Sequence, residues 1–203
     1  MKGYWVARVD VTDLDRYKAY VAANAEPLAE YGARFLVRGG AFENPEGSSR
    51  ARNVVLEFAS YETALACYHS PAYQRAVDLR KPASAGDLVI VEGHDDGTGR
   101  DGAAGGYWIG RIDVRDPDGY KAYVAADAAP LEAAGARFLV RGGRFECPEG
   151  TARSRTVVVG FDSYAGALEC YRSPGYQAAR ALREAAADSD FIIIEGYRPD
   201  TLP

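Results

Sequence analysis

From Tyr4 to Val11 the chain alternates, with Trp5, Ala7, Val9 and Val11 on one side and Tyr4, Val6, Arg8 and Asp10 on the other. That period of two predicts a half-buried strand. Asp13 then stands where a helix N-cap belongs, and Tyr17, Tyr20, Val21, Asn24, Leu28 and Tyr31 follow helical spacing until Gly32 stops it. Arg34 to Arg38 and Arg52 to Phe58 predict two further strands, with the turn-rich stretch from Gly39-Gly40 to Ser48-Ser49 as a loop between them. Ser60 caps a second helix carrying Ala64, Leu65, Cys67 and Tyr68. Ser70-Pro71 breaks and restarts it, and the continuation runs through Tyr73, Ala76 and Leu79. Leu88 to Glu92 closes as a fourth strand. The order βαββαβ predicts an α+β, ferredoxin-like fold.

The same pattern then repeats. Residues 3–94 align without a gap on 106–197 at a constant offset of 103, with 55 of 92 positions identical, so the chain is two copies of one domain. The boundaries read as a first repeat over 1–94, a Gly/Asp linker over 95–105, a second repeat over 106–197 and a tail over 198–203. A sheet with helices on one face leaves its other face to be covered. Two copies on one chain can satisfy each other, their antiparallel sheets pairing as an intramolecular dimeric α/β barrel, and the linker favours that encounter. The alternative is two beads that each dimerise with another chain.

The residues that recur resemble a known family. The opening Gly-Tyr-Trp-x-x-Arg, Tyr17-Lys18-Ala19-Tyr20, the run Arg34-Phe35-Leu36-Val37-Arg38-Gly39-Gly40 and Ile90-Val91-Glu92-Gly93 are similar to the bacterial domain-of-unknown-function family 1330. The resemblance implies a dimeric α/β-barrel fold, in a superfamily of cofactor-free monooxygenases, lactone isomerases, polyketide cyclases and haem-dependent peroxidases. It implies no single reaction.

Composition narrows the partners. The formal net charge is −5, and 11 basic against 12 acidic residues in 1–94, with 11 against 13 in 106–197, leave neither copy with the basic stripe that phosphate binding requires. Nucleic acid is therefore not an expected partner. No apolar run is long enough to span a bilayer, and Arg8 and Asp10 interrupt any signal-peptide core, so a cytoplasmic location is expected. Three cysteines without CxxC spacing argue against disulfides and a zinc ribbon. His69 becomes Arg172 and His94 becomes Tyr197 in the second copy, so no imidazole occurs in both; neither metal nor cofactor is expected.

The candidate chemistry rests on charged strand positions and helix tyrosines. Arg8 and Asp10 share one side of the first strand, Arg34 and Arg38 one side of the second, and Glu92 lies on the last. Facing an enclosed space, they would bind an anionic or oxygen-rich metabolite, because Arg grips carboxylates with paired hydrogen bonds. The competing reading is a salt-bridge network that sets register. Tyr17 and Tyr20, with copies Tyr120 and Tyr123, can donate to a carbonyl or pack as amphipathic residues; Asn24, Asp127 in the second copy, is the polar tip of that cluster. Glu57 against Gly160 offers a carboxylate in one copy and space in the other.

These observations point to a cofactor-independent enzyme of isomerase, cyclase or monooxygenase type acting on a small oxygenated metabolite. Glu57, Asp10, Tyr17 and Tyr20 are its candidate catalytic residues, and Arg8, Arg38, Glu92, Arg111, Arg141, Tyr120 and Tyr123 its candidate binding residues. The alternative is a non-catalytic small-ligand-binding or assembly module.

Overall fold

The computed structural model describes residues 1–95 and 101–199; residues 96–100 of the expected linker and 200–203 of the tail lie outside them. The first repeat contains β1 (Gly3–Val11), α1 (Leu14–Ala23), α2 (Ala25–Glu30), β2 (Arg34–Arg38), β3 (Phe42–Glu46), β4 (Arg52–Phe58), α3 (Tyr61–His69), α4 (Pro71–Arg80) and β5 (Ser84–Glu92). The second contains β6 (Gly106–Val114), α5 (Pro117–Ala126), α6 (Ala128–Ala133), β7 (Arg137–Arg141), β8 (Phe145–Glu149), β9 (Arg155–Phe161), α7 (Tyr164–Arg172), α8 (Pro174–Ala186) and β10 (Ala187–Glu195).

The caps act as their chemistry dictates. Asp13 accepts from the Arg16 N–H, Ser60 from Thr63 and Ser70 from Tyr73, with Pro71 in the first turn of α4. The helix expected through Tyr31 is two, because the chain redirects at Asn24, whose N–H closes on the Tyr20 carbonyl.

The loop expected over 39–49 holds a strand, β3, and its copy β8 is another. The strand orders are β2-β4-β1-β5-β8 and β3-β10-β6-β9-β7, so each sheet is antiparallel and carries, at one edge, a strand from the other repeat. Pro45 and Pro148 are tolerated there because an edge strand needs ladder donors on one side only. The compact units are therefore not contiguous in sequence. Unit 1 combines Met1–Gly39, Arg50–Asp95 and Gly143–Ala152, while unit 2 takes Gly40–Ser49 and the described parts of 96–142 and 153–203. Both are ferredoxin-like, and the chain has the α+β fold class of the dimeric α/β barrels. Among the described residues no helix is long and apolar enough to cross a membrane.

In unit 1 the core between helices and sheet gathers Trp5, Leu56, Phe58, Ala64, Cys67, Tyr68, Tyr73, Val77 and Ile90. The Trp5 indole donates to the Ala64 carbonyl at 3.0 Å, and its ring lies 4.8 Å from that of Tyr73. Unit 2 repeats this around Trp108, Phe161, Ala167 and Tyr176. The buried face of α4 is Tyr73, Ala76, Val77 and Arg80, whereas Leu79 is exposed, so the helical stripe is rotated by one residue from the expected one.

Candidate functional site

A cavity opens in unit 1 between α1, α4 and the helix-bearing side of the sheet. Its enclosed room is about 50 Å³, and about 640 Å³ when the open space at its mouth is counted in. Trp5, Ala7, Val9, Val54, Leu56 and Leu88 make the apolar floor, and Tyr17, Tyr20, Asn24, Arg38, Arg52, Arg80 and Glu149 supply polar groups.

Strand alternation and one bulge decide which charges reach it. Arg34 pairs with Glu57, Phe35 with Leu56, Val37 with Val55 and Arg38 with Val54, so Leu36 is an extra residue in β2. That insertion reverses the alternation. Arg34 and Arg38, expected on one side, fall on opposite sides: Arg38 joins Phe35 at the cavity, its guanidinium 4.5 Å above the ring, and Arg34 joins Glu57 on the helix-free side. β7 repeats the device, placing Arg141 over Phe138 at 4.5 Å.

Aromatic rings hold the cavity's polar groups. Arg52 stacks over Tyr17 at 5.9 Å, and among the described residues its buried Nε has no hydrogen-bond partner. The hydroxyls of Tyr20 and Tyr73 lie 3.0 Å apart, and the Arg80 guanidinium sits 5.3 Å from the Tyr20 ring. Arg80 donates to Glu149 of the borrowed strand, Nη2 to Oε1 at 2.6 Å, and the Tyr68 hydroxyl donates to the same oxygen at 2.9 Å. Burial raises the Tyr17 phenol, with Tyr20 adding to it, and holds Tyr73 well above 10. The phenols are therefore neutral donors at physiological pH. Burial pulls the Arg80 guanidinium down, but Tyr20 and Glu149 more than reverse this, and it stays charged.

Unit 2 has the equivalent cavity, smaller at about 20 Å³ of enclosed room, lined by Trp108, Tyr120, Tyr123, Asp127, Phe138, Arg141, Arg155 and Phe191. Phe191 replaces Leu88 and narrows it, and Gly110 in place of Ala7 makes the narrowing feasible: a Cβ there would lie 3.3 Å from the Phe191 ring. Glu46 from the first repeat plays the part of Glu149, bonded to Arg183 and Tyr171. Burial pushes the Glu46 carboxyl up, and Arg183 more than offsets this. Asp127 differs: burial raises its carboxyl to about 6 against weaker pulls from Tyr123, Arg141 and Arg183.

The expected residues thus divide. Tyr17, Tyr20 and Arg38 come together in unit 1, and Tyr120, Tyr123 and Arg141 in unit 2. Glu57, Asp10, Arg8, Glu92 and Arg111 are not with them. Glu57 accepts from Tyr4 at 2.9 Å and Arg34 at 2.6 Å, with Lys2 at 3.3 Å. Arg8 meets Asp87 at 2.8 Å, and Arg50 bridges Asp87 and Asp10 at 3.0 and 2.8 Å. Arg111, Asp113, Arg153 and Asp190 copy that network in unit 2. Burial raises Asp87, yet Arg50, the Thr151 N–H and Arg8 bring it to about 2. Glu92 accepts from Arg144, which stacks on Tyr61. The bland reading, charges that fix loops and register, describes these five.

Arg80 and Glu149 escaped the sequence reading. The available signal was an arginine on the apolar stripe of α4, repeated as Arg183 on α8.

Among the described residues no cluster of three or more His, Cys, Asp or Glu is placed to hold a metal ion. His69 is exposed and bonded to Glu146. Burial lifts the Cys67 thiol to about 12 and Cys170 to about 11, and neither lines either of these two cavities.

A family model described as a domain of unknown function (DUF1330) matches residues 2–94 and 105–197. No curated protein matches the chain. Among solved structures, an anthrone oxidase-like protein shares 13% identity at a TM-score of 0.54, over 97% of this chain and 92% of its own. A monooxygenase candidate from Lactobacillus acidophilus NCFM shares 10% at 0.52, over 96% and 93%. A heme-binding protein from Thermus thermophilus shares 8% at 0.51, over 98% and 92%. At such identities the likeness is one of fold. Haem does not fit the described residues: no His, Cys or Met lines either cavity, and burial raises the phenols of Tyr17, Tyr73, Tyr120 and Tyr123, which opposes phenolate ligation.

Proposed function

The chain belongs to the DUF1330 family twice over, and from that premise we propose that it binds a small oxygenated metabolite, anionic at one end, in the helix–sheet cavity of unit 1. One observation carries this reading: the cavity presents Arg38, Arg52 and Arg80, and its two lining carboxylates, Glu149 and Asp87, are already held, the first by Arg80 and the second by Arg8 and Arg50. Arg38 and Arg52 orient the ligand's acidic group, with Arg52 Nε as an unsatisfied donor. Tyr17 and Tyr20 donate to a carbonyl and stabilise charge developing on its oxygen, the step that isomerisation, cyclisation and cofactor-independent oxygenation of enolisable compounds share. The oxidase-like and monooxygenase-type proteins of similar fold support a small-molecule cavity.

A second reading, a ligand-binding module without catalysis, draws on the placement of Glu57 and Asp10, the expected catalytic carboxylates, in ion pairs away from the cavity. Calorimetric titration with benzoate, a minimal aromatic carboxylate, tests the anion site. Saturable binding that weakens at least tenfold in Arg38→Ala and Arg52→Ala is expected; binding indifferent to both substitutions would refute the assignment. Turnover of an enolisable ketoacid then separates enzyme from module.

A further inference from the structure

The two cavities share most of their polar lining at the offset of the repeat: Tyr17 with Tyr120, Tyr20 with Tyr123, Arg38 with Arg141, Arg52 with Arg155. One polar position among them changes charge. Asn24, buried at the junction of α1 and α2, is Asp127 at the junction of α5 and α6. Both side chains line their own cavity, and among the described residues no cation lies within ion-pair distance of Asp127.

We propose that the Asn24/Asp127 position sets the charge preference of each cavity, so that unit 1 accepts the anionic form of a small oxygenated ligand and unit 2 rejects it in favour of a neutral, proton-donating form. This deepens the anion reading above and rests on it. In unit 1 the amide of Asn24 adds no charge beside Arg38, Arg52 and Arg80, and the lining carboxylates Glu149 and Asp87 are each held in ion pairs. In unit 2 a carboxylate of the chain itself stands among the cationic groups. A second carboxylate brought into that small space suffers like-charge repulsion with little water to screen it, which weakens binding by tenfold or more. A phenol, enol or protonated acid can instead donate to Asp127.

Every element around Asp127 contributes to its environment. Tyr120 and Tyr123 act on it from α5, Arg141 from β7, Cys170 from α7 and Arg183 from α8, and Arg155 of β9 lines the same cavity. Burial outweighs the cations and the Tyr123 hydroxyl, so the carboxyl changes charge near pH 6. Unit 2 therefore gains affinity for anions as pH falls, and unit 1 does not follow it.

The chain's two tryptophans make the test site-resolved, because Trp5 lines the unit 1 cavity and Trp108 that of unit 2. Benzoate, ionised at both pH 8 and pH 5, is titrated against Trp108→Phe, which reports unit 1, and Trp5→Phe, which reports unit 2. At pH 8 a saturable response is expected from Trp5 and none from Trp108. Phe191 also narrows unit 2, so the decisive arm is Asn24→Asp in the Trp108→Phe background, where the cavity keeps its size. Benzoate should bind at least tenfold more weakly at pH 8 and recover at pH 5, with unchanged circular dichroism. Unaltered affinity at pH 8, or a loss equal at both pH values, overturns the inference while leaving the anion site intact. No benzoate response from Trp5 at either pH overturns both.

Discussion

Arg80 and Glu149, 69 residues apart and drawn from different repeats, meet inside unit 1 as a buried ion pair, and Arg183 and Glu46 repeat the relationship in unit 2. Each borrowed strand therefore delivers a carboxylate to the end of α4 or α8, where Tyr68 or Tyr171 adds a hydroxyl.

Such a pair resists loss of one member far more than loss of both. Glu149→Ala leaves the Arg80 guanidinium, 5% exposed, without its counter-charge, and about 3–5 kcal/mol of stability should disappear in urea titration. Arg80→Met with Glu149→Leu should recover most of that. A double variant as unstable as Glu149→Ala would mean that the pair contributes more than charge balance.

The Glu57/Gly160 difference has a structural cause in the residues before β6. In unit 1 Tyr4 and Arg34 converge on the Glu57 carboxylate. In unit 2 their copies turn to backbone carbonyls: Tyr107 donates to Gly102 at 2.8 Å and Arg137 to Ala103 at 2.9 Å. A Cβ at Gly160 would stand 3.1 Å from that of Ala104. Gly160→Glu should thus expel residues 101–104 and speed proteolytic cleavage there, while the α-helical signal holds. Cleavage at the parent rate would contradict this account.

What could be read from the sequence was local. Ser60, Ser70 and Asp13 declare their helices because a cap bonds to residues two or three positions away, and Tyr17 and Tyr20 share a face by period alone. Period alone puts Arg34 and Arg38 on one side, because the bulge at Leu36 arises from pairing with β4, which no local pattern announces. β3 was hidden for a similar reason: its partner, β10, lies about 145 residues on, and Pro45 reads as a loop until the strand is known to be an edge. Arg80 has no partner that local sequence can indicate, because Glu149 comes from a strand of the same hidden kind.

The Leu88/Phe191 exchange predicts how cavity size is controlled. Leu88→Phe in unit 1 should fill the cavity and abolish benzoate binding, but also crowd Ala7 and cost about 1–3 kcal/mol. Adding Ala7→Gly, as unit 2 has at Gly110, should restore stability without restoring binding. Retained binding in Leu88→Phe, measured by titration of the same protein, would place the ligand elsewhere.

Asp127 gives the fold a pH dependence of known sign. Its folded pKa, about 6, lies above the ordinary 3.8, so the folded state favours the protonated carboxyl. That contribution to stability is complete below about 3.8 and is lost as pH rises through about 6. The difference corresponds to at most about 3 kcal/mol, less where solvent at the mouth screens the group. Asp127→Asn keeps the shape and removes the titration, and the other carboxylates are common to both proteins and cancel in the comparison. Between pH 4 and pH 8, the stability of Asp127→Asn relative to the parent should therefore rise by about 1–3 kcal/mol in denaturant titrations. A difference constant across that range would show that Asp127 titrates as an ordinary exposed carboxylate, and the charge distinction between the two cavities would lose its basis.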